Sequence, residues 1–127
     1  MVQQLIAIID DDSNFRQGLR RLLRAHGIET VLYPSGEAFL EALPSCPPAC
    51  VMVDLNLPGQ DGIGILRCLA AADAKIPTIA MTGFDRSGLR EQCLAAGASA
   101  FLTKPIGSTE FERALSAAID VHPTGDA

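Results

Sequence analysis

The sequence predicts an α/β fold, a doubly wound parallel sheet of five short strands with helices packed on both faces. The length of 127 residues and the composition, 48% hydrophobic and 20% charged, are those of one globular domain. Five apolar runs alternate along the chain with segments of helical periodicity. Strands separated by helices pair in parallel through right-handed crossovers rather than as hairpins. The predicted pattern is therefore a βα unit repeated five times.

The five apolar runs are the predicted strands. The first, third and fourth runs are continuous, without polar alternation, which is typical of parallel strands covered on both faces. The runs cover residues 5–9, 30–32, 50–53, 78–81 and 100–102.

The first helix has an apolar stripe at helical spacing. The stripe consists of Phe15, Leu19, Leu22 and Leu23. Asp12, Ser13 and Asn14 all suit the N-cap, and for Asp12 a capping role is favoured over metal binding. Gly27 provides a left-handed stop at the other end. The remaining surface of this helix carries four arginines, Arg16, Arg20, Arg21 and Arg24.

The second, third and fourth helices are predicted at residues 35–43, 63–72 and 87–96. Pro44 ends the second helix and Gly97 closes the fourth. A capping box of Thr109 and Glu112 opens the fifth helix. The positions expected to face the core are Ala38, Phe39, Ala42, Ile65, Leu66, Leu69, Phe111, Leu115 and Ala118. Residues 1–121 thus form the predicted domain, and residues 122–127 form a tail or the start of a linker.

The composition excludes several classes of function. The net charge of −5 makes nucleic-acid binding by this domain unfavourable, because phosphate neutralisation needs clustered lysine and arginine. No apolar run approaches the ~20 residues of a membrane helix, and no secretory signal is present, so we expect a cytoplasmic protein. The four cysteines lack metal-binding spacing and are expected to be reduced, mostly buried thiols.

Polar residues follow four of the five predicted strands. Strand one ends in Asp10, Asp11 and Asp12, and strand three ends in Asp54. Strand four is followed by Thr82, and strand five by Thr103 and Lys104, one of two lysines in the chain. Because the carboxyl ends of parallel strands share one edge, these side chains are expected to meet there.

Such a set of residues suits phosphoryl transfer. Crowded carboxylates repel one another, and a hard cation such as Mg²⁺ or Mn²⁺ relieves that repulsion through oxygen ligands. A carboxylate beside the cation can attack phosphorus and form an aspartyl phosphate. Thr82, Lys104 and the amide of Gly83 would then stabilise the phosphoryl oxygens.

Four segments together resemble the receiver domain of bacterial two-component response regulators. They are the acidic triplet after strand one, residues 51–62 around Asp54, the Met-Thr-Gly of residues 81–83 and the Phe-Leu-Thr-Lys-Pro of residues 101–105. Their order and spacing are those of the family from about residue 5 to residue 119. The resemblance implies a flavodoxin-like strand order, 2-1-3-4-5. The Met-Thr-Gly segment looks most like receivers that precede a helix-turn-helix output domain.

The resemblance also implies roles for individual residues. Asp54 would be the phosphoacceptor, taking the phosphoryl group from a sensor histidine kinase or a histidine phosphotransfer protein. Asp11 would ligate Mg²⁺ directly, Asp10 mainly through water, and Asn56 through its backbone carbonyl, with Asp54 completing the metal ligands. The chain would catalyse its own phosphorylation and slow dephosphorylation without being a turnover enzyme. The arginines of the first helix either engage the histidine-bearing partner or form a solvated face.

The resemblance also implies a switch on the strand-four and strand-five side of the site. Thr82 and Lys104 would bind phosphoryl oxygens, and the bond between Lys104 and Pro105 would be cis. Phe101 would turn inward as Thr82 moves, changing the surface of helix four, strand five and helix five. That surface would control an output domain, a partner or a phosphorylation-dependent homodimer. Phe84, a bulky apolar residue near the acceptor, predicts slow hydrolysis of the phosphoryl group.

Three other interpretations were weighed. A haloacid-dehalogenase-type phosphatase would use Asp10 as its nucleophile, but it needs an acidic pair after its lysine, and here only Glu110, Glu112, Asp120 and Asp126 follow Lys104. A flavodoxin-like electron carrier needs a Ser/Thr-rich loop after strand one, where this chain is acidic. A degenerate receiver used only for docking would not need the acidic pair, the acceptor, the threonine and the lysine.

Overall fold

The computed structural model describes residues 5–57, 62–72 and 76–119. Five strands and five helices alternate along the chain. The strands are β1 (Leu5–Ile9), β2 (Glu29–Tyr33), β3 (Cys50–Asp54), β4 (Thr78–Thr82) and β5 (Ala100–Thr103). The helices are α1 (Ser13–Ala25), α2 (Gly36–Ala42), α3 (Gly62–Ala71), α4 (Leu89–Ala95) and α5 (Ser108–Ala118). The predicted tail at residues 122–127 lies outside the described residues.

The strands form one parallel sheet in the order β2-β1-β3-β4-β5, which confirms the predicted fold class and strand order. Side chains of β1 alternate between two cores: Ala7 and Ile9 face one side, and Ile6 and Ile8 face the other. The first core is covered by α2, α3 and α4, and the second by α1 and α5. The sheet is therefore buried on both faces, as the continuous apolar runs indicated.

Helix α1 confirms most of the predicted stripe but not all of it. Leu19 and Leu23 are buried, Phe15 is half-buried, and Leu22 is 39% exposed. Consecutive helical residues lie about 100° apart, so a buried arc that includes Leu23 leaves Leu22 at its edge. Gly27 has a φ of 76° and provides the predicted left-handed stop.

The predicted capping box at the start of α5 is wrong. The N-cap is Gly107, which makes no side-chain cap hydrogen bond, and the helix begins at Ser108. The acid in the third helical position is Glu110, whose carboxylate occupies the space that a side chain at position 107 would need. The helix therefore starts before the position that the spacing of Thr109 and Glu112 indicated. Its predicted apolar residues are buried as expected: Phe111, Leu115 and Ala118.

The four cysteines, all within the described residues, form no disulfide. Cys50 and Cys93 are buried, Cys46 is half-buried and Cys68 is exposed, so the prediction of mostly buried thiols holds for two of the four. Burial raises the pKa of the Cys50 thiol to about 12, which leaves it protonated and unreactive at neutral pH.

Candidate functional site

The register of the sheet brings two buried carboxylates side by side. Ile9 at the end of β1 pairs with Val53 of β3, so the next residues along the two strands, Asp10 and Asp54, are neighbours. Asp10 is 0% exposed and Asp54 is 5% exposed. Buried carboxylates require compensation by positive charge or hydrogen bonds, which marks this edge as a site of special chemistry.

Lys104 supplies positive charge between these carboxylates. It follows β5, where its backbone N–H donates to the Thr82 carbonyl at 2.8 Å. Its Nζ lies 2.8 Å from Asp10 Oδ2 and 3.7 Å from Asp54 Oδ2. The sequence predicted that Lys104 meets the acids, and the structure adds that Asp10 is its nearer partner.

The three residues of the acidic triplet make different contacts: Asp10 and Asp11 belong to a carboxylate cluster, and Asp12 is a helix N-cap. Asp10, Asp11 and Asp54 each place one carboxylate oxygen within 4.8 Å of the others, a cluster whose oxygens suit a hard divalent cation. Asp11 is exposed and Asp10 is buried, so the cluster has both a solvated and a shielded side. Asp12 instead caps α1, since its carboxylate accepts hydrogen bonds from the backbone N–H groups of Asn14 and Phe15 at 3.0 and 3.3 Å. The predicted capping role of Asp12 is therefore confirmed.

Thr82 and Asn56 form the other side of this edge. Thr82 is 1% exposed, and its hydroxyl oxygen accepts hydrogen bonds from Asn56 Nδ2 at 3.2 Å and from the Phe84 N–H at 3.0 Å. The backbone N–H of Asn56 donates to Asp54 Oδ1 at 3.2 Å. With these two donors on its oxygen, the Thr82 hydroxyl keeps its own proton to donate. The hydrogen bond from the Asn56 side chain to Thr82 was not predicted from the sequence.

The surroundings of Asp54 favour the protonated form of its carboxyl group. Burial raises the pKa of its carboxyl above the ordinary value, and the charges of Asp10 and Asp11 act in the same direction. The N–H of Asn56 and the ammonium of Lys104 lower the pKa of Asp54 without cancelling that rise. Ionising Asp54 is therefore less favourable in the folded protein than in water, and a cation bound in the cluster would reduce that penalty.

Comparison with known families shows which family the chain belongs to. The chain matches the family profile of the response regulator receiver domain over residues 6–116. This chain is a receiver domain of the response regulators.

Relatives and solved structures agree with that identification. The transcriptional regulatory protein FixJ of Bradyrhizobium diazoefficiens is 35% identical over 114 residues, which cover 90% of this receiver domain and 56% of FixJ. A response regulator receiver protein from Burkholderia phymatum is 39% identical with a TM-score of 0.83, covering 94% of this chain and 98% of that one. The crystal structure of FixJ-N is 30% identical with a TM-score of 0.82, covering 93% and 94% of the two chains. The receiver domain thus spans about half the length of FixJ.

Several contacts at the edge of the receiver domain were not predicted. The guanidinium of Arg16 donates to the Asp10 carbonyl, so Arg16 is not simply part of an outer basic face. The Phe15 ring lies under the Lys104 ammonium, with 4.0 Å between Nζ and the ring centroid. Helical periodicity placed these residues on α1 but contained no signal for the partners that their side chains reach.

Two expectations from the resemblance concern β5 and the turn that follows it. The Lys104–Pro105 peptide bond is cis, as expected. Phe101 is 9% exposed and packs in the core covered by α2, α3 and α4. The ring is thus already largely buried, and its movement on phosphorylation stays a prediction.

Among the helices that the structure describes, none combines the length and the apolar character needed to cross a bilayer.

The raised pKa of Asp54 predicts a gain in stability for Asp54→Asn. An acid whose pKa is higher in the folded than in the unfolded chain lowers stability as the pH rises through the folded value. We therefore expect the variant to have the larger free energy of unfolding at pH 7, and the difference to shrink in acid, where wild-type Asp54 is also neutral. Denaturant unfolding of both proteins from acid pH to pH 7 measures this difference in the free energy of unfolding. The exposed Asp85→Asn is the control, expected within about 0.5 kcal/mol of wild type; a destabilised Asp54→Asn at pH 7 contradicts the account.

Proposed function

We propose that this receiver domain accepts a phosphoryl group on Asp54 with the help of a divalent cation and so works as a switch in two-component signalling. The observation that carries the proposal is the surroundings of Asp54. Its buried carboxylate has the Lys104 Nζ at 3.7 Å and lies in a cluster with Asp10 and Asp11 whose oxygens are within 4.8 Å of one another. These groups, which share one edge of the sheet, would serve as the nucleophile, the counter-charge and the cation ligands.

The transfer step follows from that arrangement. A carboxylate oxygen of Asp54 attacks phosphorus, the bond from phosphorus to the donor histidine nitrogen breaks, and that nitrogen keeps the electron pair and takes up a proton. The donor is a sensor histidine kinase or a histidine phosphotransfer protein. Asp10, Asp11, Asp54 and the backbone carbonyl of Asn56 would hold Mg²⁺, or Mn²⁺, which when bound offsets negative charge on the transferring group.

Lys104 and Thr82 would bind the oxygens of the phosphoryl group once it is on Asp54. The Lys104 Nζ lies within 4 Å of Asp54 Oδ2, and the Thr82 hydroxyl, which accepts hydrogen bonds from Asn56 and Phe84, retains its own proton to donate. Charge-assisted hydrogen bonds from both would stabilise the phosphoryl oxygens. The domain would then promote its own modification and slow hydrolysis without being a turnover enzyme.

The output would be carried by the surface of α4, β5 and α5. Movement of Thr82 toward the phosphoryl group would change the packing around Phe101 and hence this surface. The surface would control a DNA-binding output domain, a separate partner or a homodimer. The same proposal assigns the domain to the cytoplasm.

Beryllofluoride, a mimic of an aspartyl-bound phosphoryl group, tests the proposal. Added to protein already saturated with Mg²⁺, it should shift the backbone amide NMR signals of the edge residues in the wild type and leave those of Asp54→Asn unchanged. Asp12→Asn is the matched control, because it removes one charge from the acidic triplet while Asn still caps a helix. We expect Asp12→Asn to respond like the wild type; an equal response from Asp54→Asn would overturn the proposal.

A further inference from the structure

The Lys104 ammonium stands between a carboxylate and an aromatic ring. Its Nζ lies 2.8 Å from Asp10 Oδ2 and 4.0 Å from the centroid of the Phe15 ring. The side chain of Lys104 is 20% exposed, and Phe15 is half-buried. The ring therefore shields the ammonium on a side that Asp10 does not reach.

The position of Phe15 is fixed by the acidic triplet. Phe15 is the third residue of α1, and its N–H donates to the capping carboxylate of Asp12 at 3.3 Å. The N–H of Asp12 in turn donates to Asp10 Oδ1 at 2.9 Å. A chain of two hydrogen bonds thus connects Asp10, the partner of Lys104, to the residue whose ring lies under Lys104.

An aromatic ring attracts an ammonium group more strongly than an aliphatic side chain of similar size does. The face of the ring carries negative electrostatic potential and attracts a cation within about 6 Å of its centroid. The attraction strengthens where water is partly excluded, as it is around this half-buried pair. Leucine at position 15 would fill space there without attracting the charge.

We infer that Phe15 is a positioning residue that keeps the Lys104 ammonium at the acidic edge, an inference that rests on the proposed role of Lys104 in binding the phosphoryl group. Asp10, whose carboxylate is the one nearest to the Lys104 ammonium, would also be drawn to a cation held by Asp10, Asp11 and Asp54. The Phe15 ring carries no charge to compete for, so its contact with the ammonium persists. The ring thereby holds Lys104 within reach of a group on Asp54 when the carboxylates are engaged by the metal.

NMR of the lysine side chains tests the contact without any phosphorylation. The sequence contains only Lys75 and Lys104, so two sets of side-chain signals are expected. The ring should shift the Cε protons of Lys104 upfield, and Phe15→Leu should return them toward ordinary lysine values. The signals of Lys75 serve as the internal reference. Unchanged Lys104 signals in Phe15→Leu would overturn the inference.

A fluorination series at position 15 tests the consequence for phosphorylation. Successive fluorines on the ring weaken its negative face while keeping its shape, so folding is retained. The initial rate of phosphorylation by phosphoramidate with Mg²⁺ should fall stepwise, to about three- to tenfold below wild type, as the loss of a partly desolvated cation–π contact predicts. The same series at Phe39, whose ring is buried in the core covered by α2, α3 and α4, is the control and should not show the trend.

The outcomes separate the two proposals. A wild type that takes no phosphoryl group contradicts the proposed function, and the NMR shift of Lys104 then still decides whether Phe15 holds the ammonium. A wild type that is phosphorylated at a rate independent of fluorination at position 15 overturns the role of Phe15 and leaves the proposed function standing.

Discussion

A Lys104→Met variant is expected to accept phosphoryl groups at least about a hundredfold more slowly than the wild type. The Lys104 Nζ is within 4 Å of both Asp10 and Asp54, and the variant leaves these buried carboxylates without that charge. Removing one preorganised donor to a developing anion costs about 10²–10³ in rate. The initial rate of phosphorylation by phosphoramidate with Mg²⁺ measures the effect.

The matched variant Lys104→Arg separates charge from geometry. Arginine keeps the positive charge but places it on a wider, planar group, so an intermediate rate is expected. A Lys104→Met rate equal to that of the wild type would contradict the assignment of Lys104 to the phosphoryl group. A loss of folding is excluded by comparing the far-UV circular dichroism of the variants.

Gly62→Ala is expected to destabilise the domain by about 3 kcal/mol, because the added Cβ would overlap backbone atoms at the end of β3. A Cβ at position 62 would stand 2.6 Å from the Asp54 carbonyl oxygen and 2.7 Å from Leu55 Cα. These are backbone atoms at the end of β3, so relief requires moving either the strand or the start of α3. Denaturant unfolding measures the loss.

Gly64→Ala is the matched control for that prediction. Gly64 lies in the same helix, and a Cβ there meets no atom within 4 Å. Alanine is the better helix former by about 1 kcal/mol, so this variant should be as stable as the wild type or more so. Equal stability of the two variants would show that the approach of Gly62 to β3 is not a tight constraint.

Much of the fold could be predicted from the sequence, because parallel strands and their helices leave strong periodic signals. The strand ends were predicted less well. Asp54, Thr82 and Thr103 are each the last residue of a strand, although the apolar run stops one residue earlier. The side chains become polar there while the backbone ladder continues, as in the hydrogen bond from the Lys104 N–H to the Thr82 carbonyl at 2.8 Å. Hydropathy reports the first of these properties and not the second.

The contacts of the candidate site were likewise predicted only in part. The meeting of Asp10, Asp54 and Lys104 follows from the ends of parallel strands, and it was predicted. The contact of Phe15 with Lys104 and the bond from Asn56 to Thr82 were not, because they depend on side-chain directions at the first turn of a helix and in a loop. Residue type and spacing leave those directions open.

Locating the phosphoryl group on the chain tests whether Asp54 is the residue that accepts it. The receiver domain is incubated with phosphoramidate and Mg²⁺, the acyl phosphate is reduced with borohydride, and the altered residue is found by peptide mass spectrometry. We expect a single modified residue, Asp54, and no modification of the Asp54→Asn variant. Modification of Asp10, or an unchanged extent of modification in Asp54→Asn, would contradict it.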